Sequence, residues 1–282
     1  VYSGLAVGGI DLGSNNFPRL ESPEVAMLVG TGVSAYQAGA AWHQLDHRVG
    51  MPVSMIHVNR VERTDWSRYS TVILVSGRYQ LSRGAIEELQ RFVQRGGNLI
   101  AVSAAISMAA DEILQLPEAA EEGAGSVVED VDDETNPENQ PARFAEARKL
   151  VALELVSGAI FQTQIDKTHP LLFGFERDQL PVFRSSTRLL RAAAPEVSNP
   201  VRYLKPPLLA GYASEANQEK IGETAAVSVH RMGAGRVIML ADDPNFRAFW
   251  PATSRMFVNA IYFGQFTDAP SMPENVEMTE SD

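Results

Sequence analysis

Three short apolar runs constrain this chain more than anything else in it. Glu24 to Val29 reads EVAMLV, Thr71 to Val75 reads TVILV and Asn98 to Val102 reads NLIAV. Runs of this length with almost no polar position predict strands buried on both faces, the situation of a parallel sheet covered by helices on either side. The intervals supply such helices. Ser34 stands three residues before Gln37, a capping-box spacing that opens a helix running to about Asp46. Pro52 to Val58 reads as a second strand. Ser82 caps a helix whose Ile86, Leu89, Phe92 and Val93 share one face and which Gly96-Gly97 ends. An Ala-rich helix is predicted from about Ala104 to Leu116. Strand and helix alternating in this rhythm predict a doubly wound α/β sheet, mostly parallel, with helices on both faces.

Later segments are more varied. Phe144 to Val151 reads as helix, and Ala159 to Ile165 and Pro181 to Ser185 read as strands. Ala225 to His230 and Arg236 to Ala241 read as a late β-hairpin turning at Met232-Gly233-Ala234-Gly235, and Pro251 to Phe263 as a last helix with Met256, Phe257, Ala260 and Ile261 facing the core. At 282 residues and 45% hydrophobic, the chain can bury one large core. The expected organisation is a linker over 1–22, rich in Gly and Asn, one α/β domain over 23–264 and an acidic tail over 265–282. The Val1 start reads as a fragment of something longer.

Charge divides the chain unevenly. The formal net charge is -11, yet no Lys or Arg occurs from Gly96 to Ala142, and eleven acids fall between Asp111 and Glu138. Without those eleven, 24 acids face 24 bases. The segment 117–141, punctuated by Pro117, Gly123, Gly125, Pro137 and Pro141, is expected to be a mobile acidic insertion. The body has no basic patch, which argues against nucleic acid as a partner. No run of 18 apolar residues is present, so no membrane span is expected. The chain has no cysteine, which removes disulfides, thiolate metal sites and a cysteine nucleophile together.

Ligands of open α/β sheets bind beyond the carboxyl ends of the strands. Those ends nominate a cleft of Ser34, Ser76, Gly77, Arg78, Ser103, Asp242, Asp243 and Asn245. Gly, Ser and Asp are also what turns and caps require, so each of them can equally be a turn residue. Ser103 ends a strand and opens a helix, the position of a nucleophile elbow, but no histidine lies in the set to act as its base. His43 and His47 lie four apart on one helix. The intervening Gln44-Leu45-Asp46 lacks the glutamate of a zincin, so they read as packed or solvated and no metal is expected. Gly30-Thr31-Gly32 lacks the Lys-Ser/Thr of a phosphate loop and reads as a turn.

Taken together, the strand-end residues resemble those of class I glutamine amidotransferase-like domains, whose sheet is flavodoxin-like. In that family a strand leads into a Gly-x-Cys-x-Gly elbow. Ala101-Val102-Ser103-Ala104-Ala105 occupies that place here, with Ser103 where the cysteine would be, and Ser76-Gly77-Arg78 corresponds to the oxyanion loop. The late-strand His-Pro-Glu is replaced by Asp242-Asp243-Pro244-Asn245, so no amidotransferase activity is implied.

A second set of residues is similar to the C-terminal region of large bacterial zinc carboxypeptidases of the carboxypeptidase A type. It comprises Val33-Ser34-Ala35-Tyr36, Trp42-His43-Gln44-Leu45-Asp46, Arg48 to Val53, His169-Pro170-Leu171, Pro207 to Tyr212 and Ala241 to Trp250. The resemblance spans about 22–264 and implies a non-catalytic accessory domain, acting in interaction or substrate positioning within an exported metallopeptidase, periplasmic or extracellular. Its partners would be the parent's peptidase domain in cis and a peptide or small ligand. Zinc would belong to that peptidase domain, and no cofactor is expected in this chain. In this view Arg247 pairs with Asp242 or Asp243, and Phe249 and Trp250 pack the last helix against the sheet. The alternatives are a small-ligand-binding module and a hydrolase using Ser103.

Overall fold

The computed structural model describes residue 14 and residues 19–116, 128–129, 155–186, 188–190 and 198–267. Most of the linker, the acidic segment, the helix expected over Phe144 to Val151 and the tail beyond Thr267 lie outside the described residues.

The apolar runs form the parallel strands. β1 (Val25–Val29), β2 (Val53–His57), β3 (Thr71–Leu74), β4 (Asn98–Val102) and β11 (Gly235–Leu240) lie side by side in the order β2-β1-β3-β4-β11, all parallel. Alternate side chains of a strand point to opposite faces, and the core divides accordingly. Val25, Met27, Ile73, Ile100 and Val102 join a cluster with α1 (Ala35–Trp42) and the C-terminal helix Pro251–Phe263. Ala26, Leu28, Val72, Leu74, Leu99 and Ala101 join another with α2 (Arg83–Gln94) and α3 (Ala105–Met108). Helices therefore cover both faces of a flavodoxin-like sheet. Serines at the expected positions begin two of them: Ser34 Oγ accepts from Gln37 N, and Ser82 Oγ accepts from Ala85 N. Both α1 and α3 run on as π-helical turns, over His43–Val49 and Ala109–Leu114, and each stops at a left-handed residue, Gly50 or Gln115.

Beyond β11 the sheet turns antiparallel. β10 (Ala225–Met232) pairs with β11 through the expected hairpin, Met232 opposite Gly235. β9 (Ser198–Gly211), β6 (Ala159–Ile165) and β7 (Gln179–Arg184) continue it in the order β10-β9-β6-β7. β8 (Leu189–Leu190) pairs with β10 and with β5 (Val128–Glu129). The expected late hairpin is thus the first part of a larger wing. β9 and a short helix, Glu215–Ile221, carry no strong signal in the sequence. β9 contains Pro200, Pro206 and Pro207, residues that cannot donate to a ladder, and its pairing with both neighbours is interrupted by register shifts.

Candidate functional site

The loops at the carboxyl ends of β1, β3, β4 and β11 are stitched together by their own backbone. Ser34 N donates to Ser76 O at 2.8 Å and Arg78 N to Gly32 O at 2.9 Å, while Val33 and Gly77 form a bridge. The approach is close enough to require glycine: a Cβ on Gly32, whose φ is +83°, would stand 2.3 Å from Arg78 O, and one on Gly77 would stand 2.7 Å from Gly32 O. Gln37 Oε1 accepts from Ser76 N, and Tyr79 donates its hydroxyl to Val75 O, its phenol pushed far up by burial. Ser34, Ser76, Gly77 and Arg78 therefore brace two adjacent loops.

Ser103 has the backbone of an elbow. Its φ is +52°, a left-handed value uncommon for a residue with a side chain. Its own N–H is held by Leu240 O at 2.8 Å. In serine hydrolases the N–H following the nucleophile serves as an oxyanion donor. Here that group, Ala104 N, donates to Ser76 Oγ at 3.4 Å, and Ala104 O accepts from Arg188 at 2.7 Å.

The late-strand acid is engaged as well. Asp242 accepts from Arg184 Nη1 at 3.1 Å and from the Tyr203 hydroxyl. Arg184 ends β7 with a side chain 0% exposed, bonds Tyr203 at 2.7 Å, and reaches Arg188 O with its other terminal nitrogen. Burial pushes the Asp242 carboxyl up, against the pull of Arg184 and Tyr203. Burial opposes the charge on Arg184, but Tyr203 and Asp242 outweigh it and hold it above its ordinary value. The partner of Asp242 is therefore Arg184, not the expected Arg247. Neither Asp242 nor Asp243 forms an ion pair with Arg247, whose guanidinium lies 5.2 Å from the centre of the Phe246 ring instead. Phe249 is 58% exposed rather than packed on the sheet, whereas Trp250 is half-buried and donates its indole N–H to Pro181 O.

Next to this network lies an open cleft of about 860 Å³ between α1 and the turn after β11. Of the expected site residues it takes in Ser34 and Asp243. Ser76, Gly77, Arg78, Ser103, Asp242 and Asn245 are not among the residues lining it. Gln37, His43, Ser185, Phe246 and Arg247 line it and lie outside the expected set. Asp243 Oδ1 accepts from Asn245 N at 2.9 Å, and burial, helped by the nearby Asp242, pushes its carboxyl up to about 6. Phe246 is fixed by stacking on Phe183, ring centres 3.6 Å apart. His43 lies on the same face of α1 and its continuation as Tyr36 and Ala40, since positions on a helix face recur every three or four residues. Nothing local announces Arg184, whose acid lies 58 positions away. No group of three or more His, Asp or Glu side chains among the described residues is placed to hold a metal, and the His43 and His47 rings simply pack against each other at 4.9 Å. The described residues offer zinc no site on which a step could be built.

No protein-family model and no curated protein sequence matches the chain. Solved structures do. A ThuA-like protein from Parabacteroides merdae superposes with a TM-score of 0.57 at 13% identity, over 90% of this chain and 94% of that one. The fold is like that of this ThuA-like protein, a mostly parallel, flavodoxin-like sheet. A cytoplasmic protein from Salmonella typhimurium matches at 10% identity and TM-score 0.50, over 85% of this chain and 98% of its own. A β-galactosidase from Bacillus circulans sp. alkalophilus matches at 13% and 0.50, over 87% of this chain, which spans only 31% of that enzyme. At these identities the likeness concerns the fold alone, and none of the three is described as a peptidase.

Proposed function

We propose that this chain is a non-catalytic accessory domain, acting in interaction or substrate positioning within an exported bacterial zinc carboxypeptidase. The observation that carries the non-catalytic part is the double occupation of the elbow. The N–H after Ser103 is spent on Ser76, and the late-strand acid Asp242 is spent on Arg184 and Tyr203. A serine nucleophile needs both a free oxyanion donor and a base oriented by an acid. The carboxypeptidase context rests on the residue resemblances from Val33 to Trp250, the zinc and the chemistry belonging to a peptidase domain joined in cis.

Two measurements test this. A serine-directed fluorophosphonate should leave Ser103 unmodified in the folded chain, and stoichiometric labelling there would overturn the accessory reading in favour of a hydrolase. Native protein isolated through an antibody to this domain should release C-terminal residues from peptides and lose that activity to a zinc chelator. Native protein without it would remove the peptidase parentage.

A second reading, a small-ligand-binding module, is favoured by the cleft between α1 and residues 243–248. It is compatible with an accessory role.

A further inference from the structure

The cleft holds opposite charges that do not neutralise each other. Asp243 and Arg247 both line it, four residues apart across a tight turn, and among the described residues neither has an ion-pair partner. The backbone of that turn is unusual: Arg247 and Ala248 are both left-handed, with φ of +49° and +55°. Two consecutive side-chain-bearing residues in this region cost free energy, and here they carry the guanidinium out over the Phe246 ring, within cation–π range. His43 also lines the cleft, but its Nδ1 has no exposed surface through which a ligand could reach it. Between the polar groups the lining includes Gly39, Ala40, Ala248 and Phe246, with Tyr36, 94% exposed, at the rim.

We propose that this cleft binds a free α-amino acid with an apolar or aromatic side chain, its ammonium group at Asp243, its carboxylate at Arg247, and its side chain against Ala40 and Ala248. The proposal rests on the ligand-binding reading of the cleft and does not need the peptidase parentage. A zwitterion suits the site for a physical reason. A ligand of one sign would form only one charge pair and leave the opposite side chain without a partner. A ligand carrying both signs pairs each of them. The stacking of Phe246 on Phe183 and of Arg247 on Phe246 holds the receiving surface in place before binding, which limits the ordering cost.

Calorimetric titration of the 282-residue chain at neutral pH tests this with L-phenylalanine, L-leucine, 3-phenylpropionate, which lacks the amine, and phenethylamine, which lacks the carboxylate. Phenylalanine and leucine should bind, and each truncated analogue should bind about tenfold or more weakly, the loss expected for one charged hydrogen-bonding partner. Asp243→Asn keeps an oxygen for Asn245 N and should abolish the preference for phenylalanine over 3-phenylpropionate. Arg247→Gln, at an exposed side chain, should abolish the preference over phenethylamine. Circular dichroism confirms that each variant is folded. Absence of phenylalanine binding, or truncated analogues that bind as well as phenylalanine, overturns the proposal. Binding of a sugar or nucleotide in this cleft, with no amino acid bound, overturns it too while leaving the ligand-binding reading standing.

Discussion

The two halves of the sheet obey different rules. In the parallel half β1, β3, β4 and β11 are buried on both faces almost throughout, and in the antiparallel wing β6 and β7 alternate, one face inward and one outward. The first kind of strand is held by packing on both sides and the second by packing on one. What joins them is polar: the only buried ion pair among the described residues, Arg184 with Asp242, runs from the end of the wing's outermost strand to the end of β11. The candidate cleft lies at this seam, where rigid strand ends meet residues delivered by the wing, such as Ser185.

Removing the polar link should have the largest effect. Asp242→Ala leaves a buried guanidinium without its counter-charge, and a loss of about 3–5 kcal/mol is expected. Urea unfolding followed by tryptophan fluorescence checks it. Trp66 reports the α2 face and Trp250 the wing. If the two halves were independent, the variant would lose only the wing transition and leave the rest unshifted.

Core truncation sharpens the contrast. Ile100→Ala, at a fully buried side chain in the doubly covered half of the sheet, should cost about 2–5 kcal/mol. Ile160→Ala, on the half-exposed face of β6, should stay within about 1 kcal/mol. Equal losses in a denaturant series would erase the distinction between doubly and singly covered strands.

Acid should act through the wing. Burial lowers both His169, before the Pro170–Leu172 turn, and His230, on β10, to about 4, the nearby Asp166 partly opposing this at His169. The unfolded histidines titrate near 6.5, so between 6.5 and 4 the unfolded chain binds more protons and stability falls as pH falls. Asp243 has the opposite sign. Raised to about 6 from 3.8, it contributes stability that is full below 3.8 and lost as pH rises through 6. Asp242, likewise pushed up by burial, acts with Asp243 but is restrained by Arg184 and Tyr203, and the two histidines, each on the order of 1.4 kcal/mol per pH unit inside the window, set the net sign. The melting temperature should therefore drop from pH 6.5 toward about 4.5, and the double substitution His169→Gln, His230→Gln should flatten or invert the profile. A flat wild-type profile would remove this asymmetry between the halves.

The same division decides what can be read from residues alone. A doubly covered strand writes its signal locally, as TVILV and NLIAV do, and the helices between such strands announce themselves by Ser caps and by the spacing of Leu89, Phe92 and Val93. The wing depends on distant partners. β9 looks unlike a strand because of its prolines, and it exists because β10 and β6 pair with its stretches from either side. At the site, Ser34 and Asp243 follow from the rule that ligands gather beyond strand ends, and both line the cleft. Arg184 and Tyr203 cannot be assigned to Asp242 from residue order, because only the curl of the wing brings them to it. Arg247 is misassigned for the same reason: adjacency in sequence makes Asp242 and Asp243 its obvious acids, while its left-handed backbone turns it onto Phe246.

The two borders of the sheet are finished differently. Along β7, residues 246–250 lie over the strand: Phe246 stacks on Phe183, Trp250 reaches Pro181 O, and Pro181 itself has no N–H to offer. Among the described residues β2 has no such cover, and Ser54 and Met55 are exposed. A molecule with one sealed and one open border can meet another copy edge to edge once, β2 against β2 about a twofold axis. That open border is then paired, and among the described residues the covered β7 side offers a third copy no equivalent one.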